Sequence, residues 1–215
     1  MRAIRIVLCL LVVWGSASAQ PMTIVFLHHK PDKPELPKEQ VDKIMEGHFA
    51  NIKKLANEGR LLVAGPFEGG GGIFIFNSKS TEEVNEWLKN DPGVVNKRWN
   101  VEVLPYRPRL GVPRLVKEPY QMVDYSFIRF TSYVSKFNAY DVPELLKKHD
   151  DYLAEIKKSG NVVTEGIFND TDGGILIIKG DLDKKVIESD PAVSEGLLAI
   201  DIKKWFVAKG AFGEN

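Results

Sequence analysis

The sequence of 215 residues contains a single cysteine, Cys9, and no excess of charge of either sign. Without a second cysteine the chain cannot form an internal disulfide, so its stability has to come from a buried apolar core. The 29 basic and 29 acidic side chains balance, and the net charge therefore gives no reason to expect nucleic acid or an anionic membrane as a partner. Hydrophobic residues make up 44% and charged residues 27%, which is typical of globular proteins.

The sequence also lacks a hydrophobic run long enough to cross a membrane. It begins instead with the pattern of a secretory signal: two arginines among the first five residues, an apolar run at residues 6–14, and Ala-Ser-Ala at residues 17–19. An apolar run of this length is too short for a bilayer core of about 30 Å. The pattern predicts a signal peptide at residues 1–19, no permanent membrane anchor, and export to the periplasm or the medium. Cleavage would remove Cys9 and with it any thiol chemistry.

The same spacing of landmark residues occurs twice along the chain. The landmarks are His48, Gly59, Gly65, Gly71-Gly72 and Asp91-Pro92 in the first half, and His149, Gly160, Gly166, Gly173-Gly174 and Asp190-Pro191 in the second. The offset is 101 at the histidine and the first two glycines, 102 at the glycine pair and 99 at Asp-Pro. Two small insertions or deletions in loops explain this drift. The repetition predicts two copies of one structural unit.

A proline-rich segment separates the two copies. Residues 105–119 contain four prolines and several arginines, and such a density of proline favours an extended connector over a helix or an inner strand. The arginines Arg107, Arg109 and Arg114 are expected to be solvated. The predicted divisions are a first domain at residues 20–108, a Pro/Arg-rich linker at 109–119 and a second domain at 120–215.

Each copy has the pattern of the element order β-α-β-β-α-β. In the first copy, a β-rich run at residues 23–27 precedes a helix whose apolar face repeats at i, i+3, i+4 and i+7 and includes His48. Two apolar strands follow, joined by the glycine run at residues 69–72, and a capping box at residues 80–83 begins a second helix. Alternation from residue 99 to 103 predicts the last strand. The fold class is therefore α+β, with two tandem ferredoxin-like units; their pairing as a pseudo-dimeric α/β barrel is what the family resemblance described next implies.

The residues that carry these patterns resemble the YCII-related (YciI-like) family. The resemblance rests on residues 47–49 (Gly-His-Phe), 57–66 (Asn-Glu-Gly-Arg-Leu-Leu-Val-Ala-Gly-Pro), 80–83 (Ser-Thr-Glu-Glu), 90–92 (Asn-Asp-Pro) and 101–106 (Val-Glu-Val-Leu-Pro-Tyr). It covers residues 22–107 well and residues 122–210 more loosely, since Ile167 follows Gly166 where the first copy has Pro66.

The resemblance implies both an assembly and a site. Members of the family are typically single domains that pair as dimeric α/β barrels, related in fold to muconolactone isomerase-type enzymes, and a His/Asp pair has been proposed as their active site. By match, the catalytic pairs here would be His48 with Asp91 and His149 with Asp190. Some members act as dehalogenases or in the breakdown of aromatic compounds. Fusion of two copies would replace the family's homodimer by an internal pseudo-dimer, in a monomer or a higher homo-oligomer.

A His/Asp pair has a chemical use and an equally simple structural one. A carboxylate bonded to an imidazole fixes its tautomer and leaves the other ring nitrogen as a base, which could move a proton alpha to a carbonyl or help to expel a halide. Alternatively, His48 is a core histidine satisfied by one hydrogen bond, and Asp91 marks a helix-ending turn before proline. An open cavity at the histidine favours the first interpretation, and packing by Phe or Leu favours the second. Because the first copy keeps more of the family pattern, its site is preferred.

Four further residues are expected to line a substrate pocket: His28, Gly65, Pro66 and Arg98. Arg98 could bind an anion, although a solvated surface arginine is the simpler interpretation. The neighbours His28 and His29 point to opposite faces of a strand, and no metal-binding spacing follows, so no metal site is predicted. The glycine run joins two strands and lacks a following Lys-Ser/Thr, which indicates a hairpin and not a phosphate loop. No cofactor motif is present.

These patterns predict an exported protein that binds a small organic molecule, or performs acid/base chemistry on it, without a cofactor. As an enzyme it would be a cofactor-independent isomerase, lyase or dehalogenase-like enzyme, for example one acting on a cyclic acid. The alternative is a non-catalytic ligand-binding or scaffolding protein in which the His/Asp pairs are structural relics.

Overall fold

The structure, a computed structural model, describes residues 20–169 and 173–214, and the predicted signal peptide lies outside these residues. The first half contains strand β1 (Met22–His29), helix α1 (Lys38–Asn57), strands β2 (Leu61–Pro66) and β3 (Gly72–Phe76), helices α2 (Thr81–Leu88) and α3 (Pro92–Val95), and strand β4 (Trp99–Leu110). The second half contains strand β5 (Met122–Ser132), a short 3-10 helix (Val134–Lys136), helix α4 (Val142–Lys157), strands β6 (Val162–Ile167) and β7 (Gly173–Lys179), helices α5 (Lys184–Glu188) and α6 (Pro191–Ser194), and strand β8 (Leu198–Ala208).

The boundaries of the two helices in the first half follow from local signals in the sequence. Helix α1 ends just before Gly59, whose φ of 69° takes the chain out of the helix. Helix α2 begins after Ser80, whose hydroxyl accepts a hydrogen bond from the backbone N–H of Glu83 at 3.1 Å. The predicted cap is therefore confirmed, but the Glu83 carboxylate accepts from the Ser78 hydroxyl, at 2.6 Å. The glycine-rich loop after β2 is a hairpin, as predicted.

The eight strands form one sheet with the order β2-β3-β1-β4-β6-β7-β5-β8, and neighbouring strands run antiparallel. Strand β4 joins the two halves because it pairs with β1 over residues 99–106 and with β6 over residues 107–110. The fold is thus a mixed α/β fold built on an eight-stranded antiparallel sheet.

Two prolines lie inside β4, although we expected this segment to be unsuited to an inner strand. Pro105 faces Thr23 of β1, and Pro108 faces Gly166 of β6. Each half of β4 has a partner strand on one side only, so a proline there can turn its missing N–H away from the partner. The expectation was wrong because the strand is an inner strand in the sheet order but an edge strand at each proline.

The two end strands of the sheet, β2 and β8, also meet. Phe67 forms an isolated antiparallel bridge with Trp205, and the backbone N–H of Glu68 donates to the carbonyl of Lys204 at 2.9 Å. The indole N–H of Trp205, which is fully buried, donates to the carbonyl of Gly65 at 3.0 Å. The contact between β2 and β8 therefore mirrors the pairing between β4 and β6.

Three apolar clusters hold these layers together. The central cluster takes residues from both halves, among them Ile24, Phe26, Phe127, Ile177 and Trp205. Helices α1 and α2 cover the outer face of the strands in the first half, and helices α4 to α6 cover the outer face in the second half. Successive residues of β1 alternate between the central cluster and the helix-facing cluster, as the period of a strand requires. Among the described residues, no helix is long and apolar enough to cross a membrane.

The contact between β2 and β8 depends on the small size of Gly65. A Cβ atom at this position would overlap the carbonyl oxygen of Phe206 and the indole of Trp205. We predict that Gly65→Ala lowers the free energy of unfolding by about 1–3 kcal/mol, the usual cost of overpacking a filled site. Urea denaturation followed by tryptophan fluorescence measures the change. Pro66→Ala, at the exposed neighbouring position, is the control, and an equal loss in both variants would contradict the role assigned to the close approach.

Candidate functional site

The first predicted His/Asp pair is formed and buried. His48, on α1, shares its Nδ1 proton with both carboxylate oxygens of Asp91 at 2.9 Å. The same carboxylate accepts hydrogen bonds from the Asn51 side chain at 3.0 Å and from the backbone N–H groups of Gly93 and Val94 at 2.9 and 3.1 Å. Asp91 was expected to end helix α2, whereas it caps the start of helix α3, and it therefore has a structural task besides the histidine.

The hydrogen bonds to Asp91 decide its ionisation. Burial by itself would raise the pKa of this carboxyl, but the hydrogen bond and charge of His48, the Asn51 amide and the Val94 N–H together bring the pKa below its ordinary value. Asp91 therefore stays a carboxylate although it is fully buried.

Aromatic side chains cover the first histidine. The centroid of the His48 ring lies 4.8 Å from that of Trp99, 5.6 Å from Phe49 and 5.9 Å from Phe74. Only 5% of its side-chain surface is exposed, and it lines neither of the two cavities described below. The surroundings of His48 are those of a core histidine satisfied by a carboxylate.

The second pair is formed in the same way but has different neighbours. His149, on α4, contacts Asp190 through Nδ1 at 2.6 Å, and Asp190 also accepts from the backbone N–H of Ala192 at 2.9 Å while it caps helix α6. The only aromatic ring recorded against His149 among the described residues is Phe130, in an edge-on arrangement at 4.9 Å. Its side chain is 11% exposed.

His149 lines a cavity of about 190 Å³. The apolar part of the wall includes Phe130, Leu153 and Leu198, and strand β4 adds Arg107 and Arg109 from the first half of the chain. The two histidines are therefore unequal: the second opens on a cavity, whereas the sequence favoured the first.

Charged side chains on the cavity wall are tied to one another. Glu165, only 1% exposed, accepts from Arg109 Nε at 2.6 Å and from Lys157 Nζ at 3.0 Å. Arg109 also donates to Asp150 at 2.7 Å. Burial would lower the pKa of Arg109, but its bonds to Asp150 and Glu165 hold the pKa above its ordinary value. Arg109 is exposed, as expected, but it is also bonded to the buried Glu165 of β6.

A second polar cluster bridges the two halves on the inner side of the sheet. The Arg129 guanidinium donates to both carboxylate oxygens of Glu102 at 2.7 and 2.8 Å, and His28 Nε2 lies 2.6 Å from Oε2 of the same carboxylate. Arg129 also lies 4.2 Å above the ring of Phe26, on which His28 stacks. The hydrogen bonds from Arg129 and then His28 outweigh burial and lower the pKa of Glu102 to about 2.

The residues predicted to line a substrate pocket lie apart from both histidine pairs. Gly65 is where β2 touches Trp205, and the exposed Pro66 faces Gly72 in the hairpin. Arg98 donates to the carbonyl of Pro34 at 2.9 Å on the surface. None of these, nor His28, lines either cavity described here. In the described part of the chain, no group of three His, Cys, Asp or Glu side chains is arranged to hold a metal ion.

Sequence reasoning did not single out Glu165 of the cavity wall or Arg129 of the inner cluster. Their signal was a charge inside an apolar strand: Glu165 between Thr164 and Gly166, and Arg129 between Ile128 and Phe130. A charge at such a position requires a partner, but only the fold shows where the partner lies.

Comparison with known proteins agrees with this architecture. Residues 22–107 match the YCII-related domain. No curated protein matches the chain. Among solved structures, a mutant of chlorite dismutase from Candidatus Nitrospira defluvii is 10% identical with a TM-score of 0.53, over 88% of this chain and 92% of that chain. A putative chlorite dismutase is 7% identical with a TM-score of 0.51, over 87% and 94% of the two chains. These likenesses show a shared fold and cover nearly the whole chain.

The match to the YCII-related domain falls on the first half of the chain, where the sequence predicted the closer resemblance. The family match ends at residue 107, four residues after the alternating run that predicted the last strand of the first copy.

The Glu102 cluster predicts a specific dependence of stability on acid. Because the folded-state pKa of about 2 lies below the ordinary value of 4.5, the stabilisation is complete above pH 4.5 and is lost as the pH falls towards 2. We expect Glu102→Gln to melt at a lower temperature than the original chain above pH 5, and the difference to shrink towards zero near pH 2. Calorimetry at several pH values measures it. Glu155→Gln, at an exposed pair with Lys158, is the control; a difference independent of pH would refute the assignment.

Proposed function

We propose that the chain consists of two tandem YCII-type units that form a pseudo-dimeric α/β barrel. The support is the same element order in both halves, the apolar cluster they share, and the two matching contacts between them, β4 with β6 and β2 with β8. The first unit then ends at Leu110 and the second begins at Met122, close to the predicted linker at residues 109–119.

The working site of this proposal is the second pair, His149 with Asp190, acting on or binding a small organic molecule. One observation carries it: His149 is bonded to its carboxylate and lines a cavity, whereas His48 is bonded to its carboxylate and packed under aromatic rings. Pockets for drug-sized ligands measure roughly 300–1,000 Å³, so a cavity of about 190 Å³ suits a smaller molecule.

The chemistry follows from the order of bonds around the imidazole. Asp190 engages Nδ1, which holds the proton on that nitrogen and leaves Nε2 as the acceptor. A base held in this way removes a proton alpha to a carbonyl, and the imidazolium so formed is stabilised by the carboxylate behind it. Phe130, Leu153 and Leu198 form the apolar part of the cavity wall that His149 also lines.

The first pair serves a structural role in this proposal. Asp91 connects α1 to the start of α3 through His48, Asn51 and two backbone N–H groups. That matches the alternative in which a His/Asp pair is a structural relic, now confined to one of the two units.

Export is the remaining part of the proposal. It rests on the residue pattern of positions 1–19 and on the absence of cysteine after Cys9, since a protein without thiols is unaffected by an oxidising compartment.

Proton exchange at carbon tests the catalytic site. A panel of small ketones, lactones and 2-halo acids is incubated with the full chain in heavy water, and proton NMR follows loss of the signal alpha to the carbonyl. We expect His149→Gln and Asp190→Asn each to slow exchange by about 100-fold or more, the usual contribution of a positioned base.

Asp91→Asn is the matched control, because it removes the same charge from the equivalent buried pair. It is expected to lower the melting temperature and to leave the exchange rate unchanged below that temperature. No exchange with any member of the panel, or a rate indifferent to His149→Gln, contradicts catalysis. Equal losses in Asp91→Asn and Asp190→Asn contradict the assignment to the second unit.

A further inference from the structure

A larger cavity lies on the other half of the molecule, outside the proposed catalytic site. It measures about 550 Å³ and is formed between α1, β2, the end of β8 and the connector between β4 and β5. Its wall is mainly apolar, with Phe49, Ile52, Leu62, Val116 and Val207 among the contributors. This volume falls within the roughly 300–1,000 Å³ of sites for organic ligands.

Large apolar side chains are exposed at the rim of this cavity. Phe49 is 61% exposed, Tyr120 is 46% exposed and Leu115 is 40% exposed. Exposed apolar surface concentrated at the mouth of a cavity marks a binding site more often than it marks ordinary surface.

The cavity occupies the place in the first half that the charged cavity occupies in the second. At the offset of 101 residues that separates the two histidines, Phe49 corresponds to Asp150. At the same offset, Ala64 corresponds to Glu165. Ala56 and Lys157 share the offset of 101 that separates the two histidines, and Ala208 takes the place in β8 that Arg109 takes in β4. Arg109, Asp150 and Glu165 line the charged cavity, and Lys157 binds Glu165 behind the wall. The four corresponding positions all line the other cavity and are all apolar: Phe49, Ala56, Ala64 and Ala208.

Three of the residues that line this cavity are charged. Lys53, on α1, lies 3.7 Å from the Glu118 carboxylate of the connector, and Lys117 lines the cavity beside them. Two lysines against one glutamate leave an excess of one positive charge, and all the other side chains that line the cavity are uncharged.

We propose that this cavity binds a small amphiphilic carboxylate, with the apolar body between α1 and β2 and the carboxylate at Lys53 and Lys117. The apolar wall supplies the binding energy through removal of apolar surface from water, and the lysines select the charge of the head group. The inference is independent of the chemistry proposed for His149, because the two cavities share no lining residue.

Calorimetric titration of the full chain with decanoate tests the proposal. We expect saturable binding with one site per chain, at least about tenfold weaker in Ala56→Trp, where the indole fills the cavity. The matched control is Ala154→Trp, which places the same side chain at an exposed position of α4 and is expected to bind decanoate as the original chain does.

Charge selection is tested with ligands of equal chain length. The double variant Lys53→Gln and Lys117→Gln changes exposed side chains only, so it keeps the fold even if Ala56→Trp does not. It is expected to weaken decanoate by about fivefold, the scale of exposed ion pairs, and to leave decanol unchanged. Decanol binding as tightly as decanoate to the original chain overturns the choice of a carboxylate. Decanoate binding that neither Ala56→Trp nor the double variant changes overturns the site.

A second copy of the chain is the competing occupant. Sedimentation velocity with and without decanoate distinguishes it. A monomer under both conditions supports the ligand, and a dimer that Ala56→Trp or Phe49→Ser dissociates overturns it. Because the two sites are separate, His149→Gln is expected to leave decanoate binding intact. Loss of proton exchange in that variant therefore tests the catalytic site alone, and loss of decanoate binding in Ala56→Trp tests the apolar cavity alone.

Discussion

Strand β4 is the constraint on which the rest of the molecule depends. Its first part pairs with β1 and its last part with β6, so a single strand fixes the relative position of the two halves. The same extension carries Arg109 across the boundary to the buried Glu165. A residue of the first half of the chain therefore completes the wall of the cavity at His149. At the opposite end, β8 reaches β2 through Trp205, where a glycine allows the backbones to approach.

The difference between the two histidines follows from the size of a few neighbouring side chains. Trp99 begins β4 and covers His48, whereas Leu198 begins β8 beside His149. The tryptophan fits only because Gly93 has no side chain, since a Cβ there would overlap the indole. The equivalent position in the second half is Ala192, which occupies that space. A pair of small substitutions therefore separates a covered imidazole from one that faces a cavity.

Much of this arrangement could be predicted from the sequence, since it depends on local signals. The apolar period of α1 placed His48 on the inner face, and the family resemblance implied both His/Asp pairs. The continuation of β4 through Pro105 and Pro108 could not be predicted, because whether a proline is tolerated depends on which edge has a partner, and the partner is remote in sequence. The preference for the first site failed to anticipate the cavity for a similar reason. The resemblance to a family shows which residues of its motif are present in the sequence, whereas the access of solvent to His48 depends on how Trp99 packs against it.

The cost of burying a charge explains why the cavity at His149 has a charged wall while the larger cavity in the first half has an apolar one. A glutamate as buried as Glu165 is costly unless cations pair with it, and it has two, Arg109 and Lys157. Removal of one cation would leave a buried charge only partly compensated, so the members of this network are expected to depend on one another and to be exchanged together. The first half shows the product of a complete exchange, with alanines at all three of the corresponding positions, Ala64, Ala208 and Ala56. Once the charges are gone, the space they filled is left open and apolar. A charged wall around a small cavity at one histidine and a large apolar cavity beside the other are thus two self-consistent solutions for one place in the fold. An intermediate that keeps Glu165 but lacks one of its two cations would carry a buried charge that is only partly compensated.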